Sequence, residues 1–349
     1  MRYTIFGESH GPAVGVVLEG LPAGLTLDMA AVERDMARRA PGKSPLSTAR
    51  KEADRVEILS GLYRGKTCGT PLCAVIANTD THSGDYQNDL PRPGHADYAG
   101  FVRYGGHNDY RGGGHFSGRL TAPLVFAGAV AKQILAERGV SVGAHIASIA
   151  GIEDTPFDGI HEDRALFEAL AAKPFPTLSD EAGERMRKAI YEAKEQLDSV
   201  GGTIQCCAVG LPAGLGSPDF GCNVEGILSQ HLFAVPAVKA VAFGDGFGFA
   251  GLRGSEANDP IVLEDGRIRT ATNRTGGVNG GITNGMPILF TVALRPTASI
   301  SRPQRTVSLS RMEPDTLVVR GRHDPCIVHR AVPVIEAACA LGLCELWNV

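Results

Sequence analysis

No two of the eight cysteines are spaced Cys-x-x-Cys, which excludes a zinc finger and a thioredoxin-type redox pair. Most lie inside apolar runs, as Cys73, Cys206, Cys207, Cys339 and Cys344 do. Neighbours such as Cys206 and Cys207 point to opposite faces of a strand, which suits packing and not a bridge. Reduced thiols in a cytoplasmic protein are expected. Neither His-Glu-x-x-His nor His-x-His occurs, and arginines beside the histidines would repel a cation, so no metal centre is expected. The longest apolar stretch, near Leu120 to Leu135, is interrupted by Lys132 and Gln133, so no membrane span is expected. Met1 leads almost at once into Tyr3-Thr4-Ile5-Phe6 and a glycine loop, unlike a signal peptide. Aromatic residues make up only 6% and the net charge is -4, which argues against a dedicated nucleic-acid binder.

What the chain has in abundance is glycine, 44 of 349 residues, within an otherwise ordinary balance of 43% hydrophobic and 21% charged residues. The glycines gather in short loops such as Gly112-Gly113-Gly114 and the stretch from Gly276 to Gly285, which suits tight turns and close backbone approach to a ligand. There is also a faint internal repeat. Gly20-Leu21-Pro22-Ala23-Gly24-Leu25 recurs as Gly210-Leu211-Pro212-Ala213-Gly214-Leu215. Each copy follows a strand-like run (Val16 to Leu18, Ile204 to Val209) and precedes a helical pattern (Met29 to Arg39, Val224 to Phe233). The segment Gly65 to Pro71 is similar to Gly281 to Pro287, each leading into a strand (Leu72 to Ala77, Ile288 to Leu294), and a helix starting near Arg119 parallels one near Arg330. Either turn chemistry has recurred by chance, or a strand–helix–strand–helix unit is duplicated, with a cleft between the halves. Between them, Asp154 to Ser199 reads as an insertion. It contains an amphipathic helix capped by Ser179, with Met186, Ile190 and Leu197 on its apolar side. One continuous domain is expected, with halves at roughly 1–150 and 200–349.

Four loops could carry chemistry. Gly7-Glu8-Ser9-His10-Gly11-Pro12 presents His10 at a strand end, and Arg92-Pro93-Gly94-His95-Ala96-Asp97 sets an imidazole between a permanent cation and a carboxylate that could orient it. Each histidine suits acid–base work near neutral pH, or decorates a turn. Tyr110 to Arg119 (YRGGGHFSGR) runs glycine-rich backbone into a helix start between arginines, a good anion site. It lacks the Lys-Ser/Thr ending of a Walker loop. Gly321-Arg322-His323-Asp324-Pro325-Cys326 places a cation and a carboxylate two apart, which in a strand-like segment face the same way. The alternative is an internal ion pair. Basic residues also gather at Arg34, Arg38, Arg39, Lys43, Arg50 and Lys51. They could draw in an anionic ligand, although Arg34 and Lys51 read better as a solvated face.

Taken together and in order, GESHGPAVG, RPGHADY, RGGGHFSGR and GRHDPC resemble the chorismate synthase family, as do the GLPAG turns, Asn78-Thr79-Asp80 and Gly244-Asp245-Gly246-Phe247. The resemblance spans essentially the whole chain. It implies an α+β fold, a β-α-β sandwich with internal pseudo-two-fold repeat, usually a homotetramer. The implied activity is a lyase reaction: 1,4-elimination of phosphate from 5-enolpyruvylshikimate 3-phosphate to give chorismate, the final common step of the shikimate pathway. Reduced FMN is required without net redox change. The family is tied to NADP through the reduction of that flavin. This chain shows no dinucleotide fingerprint and no fused reductase domain, so an external reductant is expected.

The resemblance assigns His10 to the leaving phosphate, His95 to the flavin, and Asp324 to proton removal. The small, multiply anionic substrate implies Arg39, Arg50, Arg92, Arg119 and Arg322 as its cations. The implied FMN contacts are His115, Phe116, Ser117, Pro236, Ala237, Gly280, Arg295, Pro296, Thr297, Ala298, Ser299 and Arg322. This chain carries His115-Phe116-Ser117-Gly118-Arg119 where many relatives have Arg-Ser-Ser-Ala-Arg, Pro236 where many have Asn, and Pro45 where many have Arg; Lys43 or His115 could replace the cation missing at Pro45. The nearest alternative is another flavin- or phosphate-handling enzyme on the same scaffold.

Overall fold

A computed structural model describes residues 1–42, 46, 52–81, 84, 86–319 and 323–347. Lys43, Pro45, Arg50, Lys51 and Arg322 lie outside the described residues.

The first half contains β1 (Arg2–Gly7), β2 (Ala13–Glu19), α1 (Met29–Arg39), β3 (Val56–Ser60), a hairpin of β4 (Leu62–Tyr63) and β5 (Lys66–Thr67), β6 (Leu72–Ala77), α2 (Asp97–Arg103) and α3 (Thr121–Ala136). β7 (Ser141–Ile149) follows, then the short β8 (Ile152–Glu153) and, in the insertion, α4 (Arg164–Ala172) and α5 (Asp180–Glu195). The chain continues through β9 (Gly202–Val209), α6 (Val224–Phe233), β10 (Val238–Phe243), α7 (Gly254–Ala257), a hairpin of β11 (Ile261–Glu264) and β12 (Arg267–Thr270), and another of β13 (Val278–Asn279) and β14 (Ile282–Thr283). It ends with β15 (Ile288–Leu294), the hairpin β16 (Gln304–Ser308) and β17 (Glu313–Leu317), and α8 (Val328–Leu346).

Two antiparallel sheets flank a layer of helices. The first runs β1-β2-β6-β3 and the second β8-β7-β9-β15-β10. Leaving out the short β8, the matching strands take the same order in both. Val14, Val16 and Leu18 of β2 and Leu72, Ala74 and Ile76 of β6 alternate inward, as strand geometry requires. They meet α3, while the second sheet meets α6 and α8. α3 and α8 pack on each other along the middle of the core.

The two GLPAGL turns are built by the same bonds. Thr67 Oγ1 donates to the Pro22 carbonyl and accepts from Leu25 N, as Thr283 Oγ1 does with Pro212 and Leu215 N. Gly24 N donates to the Thr67 carbonyl at 2.8 Å, and Gly214 N to that of Thr283 at 2.8 Å. Each turn is thus locked by a threonine about 45 or 70 residues away, a satisfied buried hydroxyl and not a surface recurrence.

The insertion covers the outer face of the second sheet. Cys206 joins the main core and Cys207 a smaller cluster with Phe157, Phe167, Leu170 and Leu289, so the neighbouring thiols do face opposite ways. Ser179 caps α5 by accepting from Ala182 N, and Met186 and Ile190 are buried. Leu197 departs from the expectation: it lies past the end of the helix at φ 59° and is 56% exposed. His145 on β7, fully buried, anchors the insertion through Asp154 Oδ2 at 3.0 Å. No helix among the described residues is long and apolar enough to cross a membrane.

Candidate active site

A cavity of about 270 Å³ opens between the halves. Its wall is drawn from the strand-end loop after β1, the loops on either side of α2, the start of α3, the α6–β10 and β15–β16 connections, and the start of α8.

Both loop histidines line it. Gly112, Gly113 and Gly114 all have positive φ, at 61°, 85° and 53°, which glycine adopts without a steric penalty. This turn is pressed against both imidazoles. A Cβ on Gly112 would lie 2.3 Å from His10 Cδ2, and one on Gly113 3.1 Å from His95 Nε2. His10 also meets the Tyr86 ring edge-on at 5.3 Å, and the guanidinium of Arg92 lies 5.4 Å from the centre of the same ring.

His95 is oriented by Asp97. Its Nδ1 donates to Asp97 Oδ1 at 2.6 Å. Arg92 Nη2 lies 3.1 Å from that nitrogen and 2.8 Å from Asp97 Oδ1; Nδ1 cannot donate and accept at once, so Arg92 donates to the carboxylate. Arg92 Nε and backbone N also donate to Asp97 Oδ2, and Nη1 donates to Ser299 Oγ at 3.1 Å. Burial alone would raise the Asp97 pKa, but the bonds from Arg92 and His95 hold it well below the usual carboxylate range. The ring is thereby fixed with Nε2 directed away from Asp97.

On the opposite side Asp54, whose side chain is fully buried, bonds both Arg39 and Arg119. Burial would raise its pKa, and the two guanidinium groups outweigh that and lower it. Arg119 Nε donates to Asn78 Oδ1 at 2.8 Å, while Asn78 Nδ2 ties down the His10 loop through the carbonyls of Glu8 and Gly11. One asparagine thus couples the Arg119 cation to the loop that presents His10.

Part of the lining is apolar: Phe116, Val235, Pro236, Ala237, Leu294, Pro296 and Ala298, with Arg295 among them in sequence. Ala237 holds φ 76°, a conformation costing a residue with a Cβ about 1–2 kcal/mol. Within this wall Thr297 Oγ1 is buried with no hydrogen-bond partner among the described residues. Apolar lining with an orphaned hydroxyl, in a cavity that arginines also line, fits a flat heteroaromatic ring with a hydrogen-bonding edge.

Of the residues singled out in the sequence, the cavity brings together His10, His95, Asp324, Arg39, Arg92, Arg119, Phe116, Ser117, Pro236, Ala237 and the run Arg295 to Ser299. His115 and Gly280 are not brought there. The His115 ring faces away, bonding the Gly7 carbonyl at 3.0 Å, and Gly280 turns the β13–β14 hairpin. Of the basic cluster, Arg34 is solvated, but Arg38 is buried against Glu336. The residues the sequence reading passed over are Glu52, Asp54, Tyr86 and Arg330. Arg330 had a signal, its place in the repeat opposite Arg119. Asp54 had none, because its partners are 15 and 65 residues away.

The sequence model described as chorismate synthase matches residues 1–347. The chain is 49% identical to the chorismate synthase of Aeropyrum pernix over 99% of its own length and 90% of that protein. It is 47% identical to that of Thermococcus gammatolerans, over 99% of this chain and 95% of that one. A solved structure titled "Crystal Structure of Chorismate Synthase" superposes with a TM-score of 0.77 at 29% identity, covering 99% of this chain and 90% of the other.

Proposed function

The chain belongs to the chorismate synthase family of lyases, and from that premise we propose that its cavity converts 5-enolpyruvylshikimate 3-phosphate to chorismate with reduced FMN bound along the apolar wall. The supporting observation is convergence. Loops and helix ends from both halves bring three histidines, three carboxylates and five arginines to one space of about 270 Å³, lined as well by apolar side chains.

The reaction breaks a ring C–H bond and the C–O bond to phosphate and forms one ring double bond, so a proton and a phosphate leave and nothing is oxidised. Arg39, Arg92 and Arg119 counter the carboxylates and phosphate of the substrate, and in a closed site such charge-assisted bonds are strong. His10 supplies a proton to the departing phosphate. Asp324 assists removal of the ring proton. Phe116, Ser117, Pro236, Ala237 and Arg295 to Ser299 would hold the flavin, Thr297 Oγ1 would be free to hydrogen-bond it, and His95 would interact with it. When bound, the reduced flavin supplies electron density that eases loss of phosphate. The site itself orients the reactants and excludes water.

An external reductant supplies the flavin's electrons. The enzyme works in the cytoplasm. It assembles as a homotetramer, a reading supported by the β11–β12 hairpin, which exposes Ile261, Leu263 and Ile268 to 77%, 76% and 77%, more apolar surface than a lone hairpin leaves in water. Light scattering tests the assembly.

The deciding experiment is an anaerobic assay with chemically reduced FMN and 5-enolpyruvylshikimate 3-phosphate. Chorismate is expected, and its absence overturns the proposal. His10→Ala and His95→Ala should each lower kcat by about 10²–10⁴-fold; unchanged kcat in either removes that residue's role.

A further inference from the structure

We propose that Arg330 is a positioning residue, which holds the Asp324 carboxylate in place for proton removal and does for the second half what Arg119 does for the first. The proposal rests on the reading of Asp324 given above and deepens it.

Arg330 stands in the first turn of α8, at the cavity wall. Its Nη1 donates to Asp324 Oδ2 at 2.6 Å and its Nε to the main-chain carbonyl of Arg39 at 3.1 Å. Two bonds on one planar fork fix the guanidinium. One arm reaches the end of α1 in the first half, the other the loop entering α8 in the second. The carboxylate is therefore tied, through Arg330, to a helix end of the opposite half. The pair is largely shielded, with side-chain exposures of 15% and 13%, so the contact is stronger than an open surface ion pair.

The comparison with Arg119 gives the pairing its meaning. Arg119 sits just before α3 as Arg330 sits in the first turn of α8, and each holds a carboxylate. Asp54 has no exposed side-chain surface and is shared between two arginines. Asp324 keeps some exposure and lines the cavity, which Asp54 does not. The same arrangement thus yields a structural anchor in one half and, in the other, a carboxylate that can meet a ligand.

The test uses the complete protein with reduced FMN and substrate, anaerobically, in the forms R330Q, R330K, D324N and R330Q/D324N. The substrate is compared with its analogue deuterated at the ring carbon that loses a proton. Expected for R330Q is a kcat about 30-fold lower at little-changed KM, a larger deuterium isotope effect than in the parent, and partial recovery in R330K. The double variant should be no slower than D324N. A raised KM at unchanged kcat would make Arg330 a substrate-binding cation and overturn the proposal. So would an unchanged isotope effect with lowered kcat, or losses that multiply in the double variant. If R330Q does not fold, R330K carries the test: a lowered kcat with a larger isotope effect supports the proposal, and parent values overturn it. Parent turnover in D324N would overturn the reading of Asp324 itself, whereas an inactive D324N beside a fully active R330Q overturns the role of Arg330 alone.

Discussion

Gly112 shows how one missing side chain can decide a site. A Cβ there would lie 2.3 and 2.4 Å from two atoms of the His10 ring, at φ 61°. The ring is the softer party, because the turn is fixed by Ser9 N on the Gly114 carbonyl at 3.1 Å and Gly113 N on that of Tyr110 at 3.1 Å. Gly112→Ala should therefore displace His10 while leaving the fold cooperative. A shift near 1 Å costs about 10²-fold in turnover, so kcat should drop by about that much. Gly254→Ala, which meets nothing within 4 Å, should leave kcat at the parent value. Equal kcat in both variants would mean that His10 is not held by this turn. The glycine cluster was visible in the sequence, but its purpose was not. Nothing local says that Gly112 faces His10 and Gly113 faces His95, because that juxtaposition is made by folding alone.

At the scale of elements, the sequence was informative wherever the physics is local. The bounds of α1 follow from the Asp28 cap, which accepts from Ala31 N, and from the Val32 and Met36 spacing. Matching strands and turns were legible from the repeated GLPAGL stretches. Leu197 was misplaced because helical spacing continues on paper past Glu195, where the backbone has already turned. The central helices illustrate what spacing cannot supply. α3 reads as apolar on nearly every side, which announces burial but not a partner. The partner is α8, and Gly128 permits the contact: a Cβ there would lie 2.2 Å from Ala337 Cβ and 2.4 Å from its Cα. Alanine in place of a helical glycine gains about 1 kcal/mol of helix propensity. Overpacking a close-packed core costs about 1–3 kcal/mol, and backbone on the opposite helix cannot swing aside, so the clash wins. Gly128→Ala should lower the urea midpoint at an unchanged m-value; a raised midpoint would show that α3 and α8 have room to separate.

The helix layer that joins the two sheets also encloses charge, and this contributes to the whole molecule's response to acid. Glu336 of α8 accepts from Arg38 of α1 through both oxygens at 2.7 Å and from Lys132 of α3 at 2.5 Å. Burial alone would raise its pKa, but the two cations hold it at about 2. His329, stacked on Phe175 at 6.0 Å and with neither ring nitrogen bonded among the described residues, is pushed down to about 4 by burial. Both groups bind protons more readily in the unfolded chain than in the folded one, so both withdraw stability as pH falls. For His329 the contribution is complete above the unfolded value of about 6.5 and is lost towards pH 4; for Glu336 it is complete above about 4.5 and is lost towards pH 2. Each amounts to roughly 3 kcal/mol. Urea midpoints taken from pH 7 to pH 3 should therefore begin to fall near pH 6, well before ordinary carboxylates titrate. His329→Phe should abolish the upper part of that fall, because a ring of similar size carries no proton. Glu336→Gln should lessen the lower part, which Asp54 and Asp97 share, and at neutral pH it should also destabilise the protein, by less than the full loss of a buried pair because Arg38 and Lys132 both keep Asp35 at 3.0 Å. A midpoint that stays level from pH 6.5 to pH 4 in the parent protein would show that His329 gains a proton without opening the core, and acid sensitivity would then rest on buried carboxylates such as Glu336, Asp54 and Asp97.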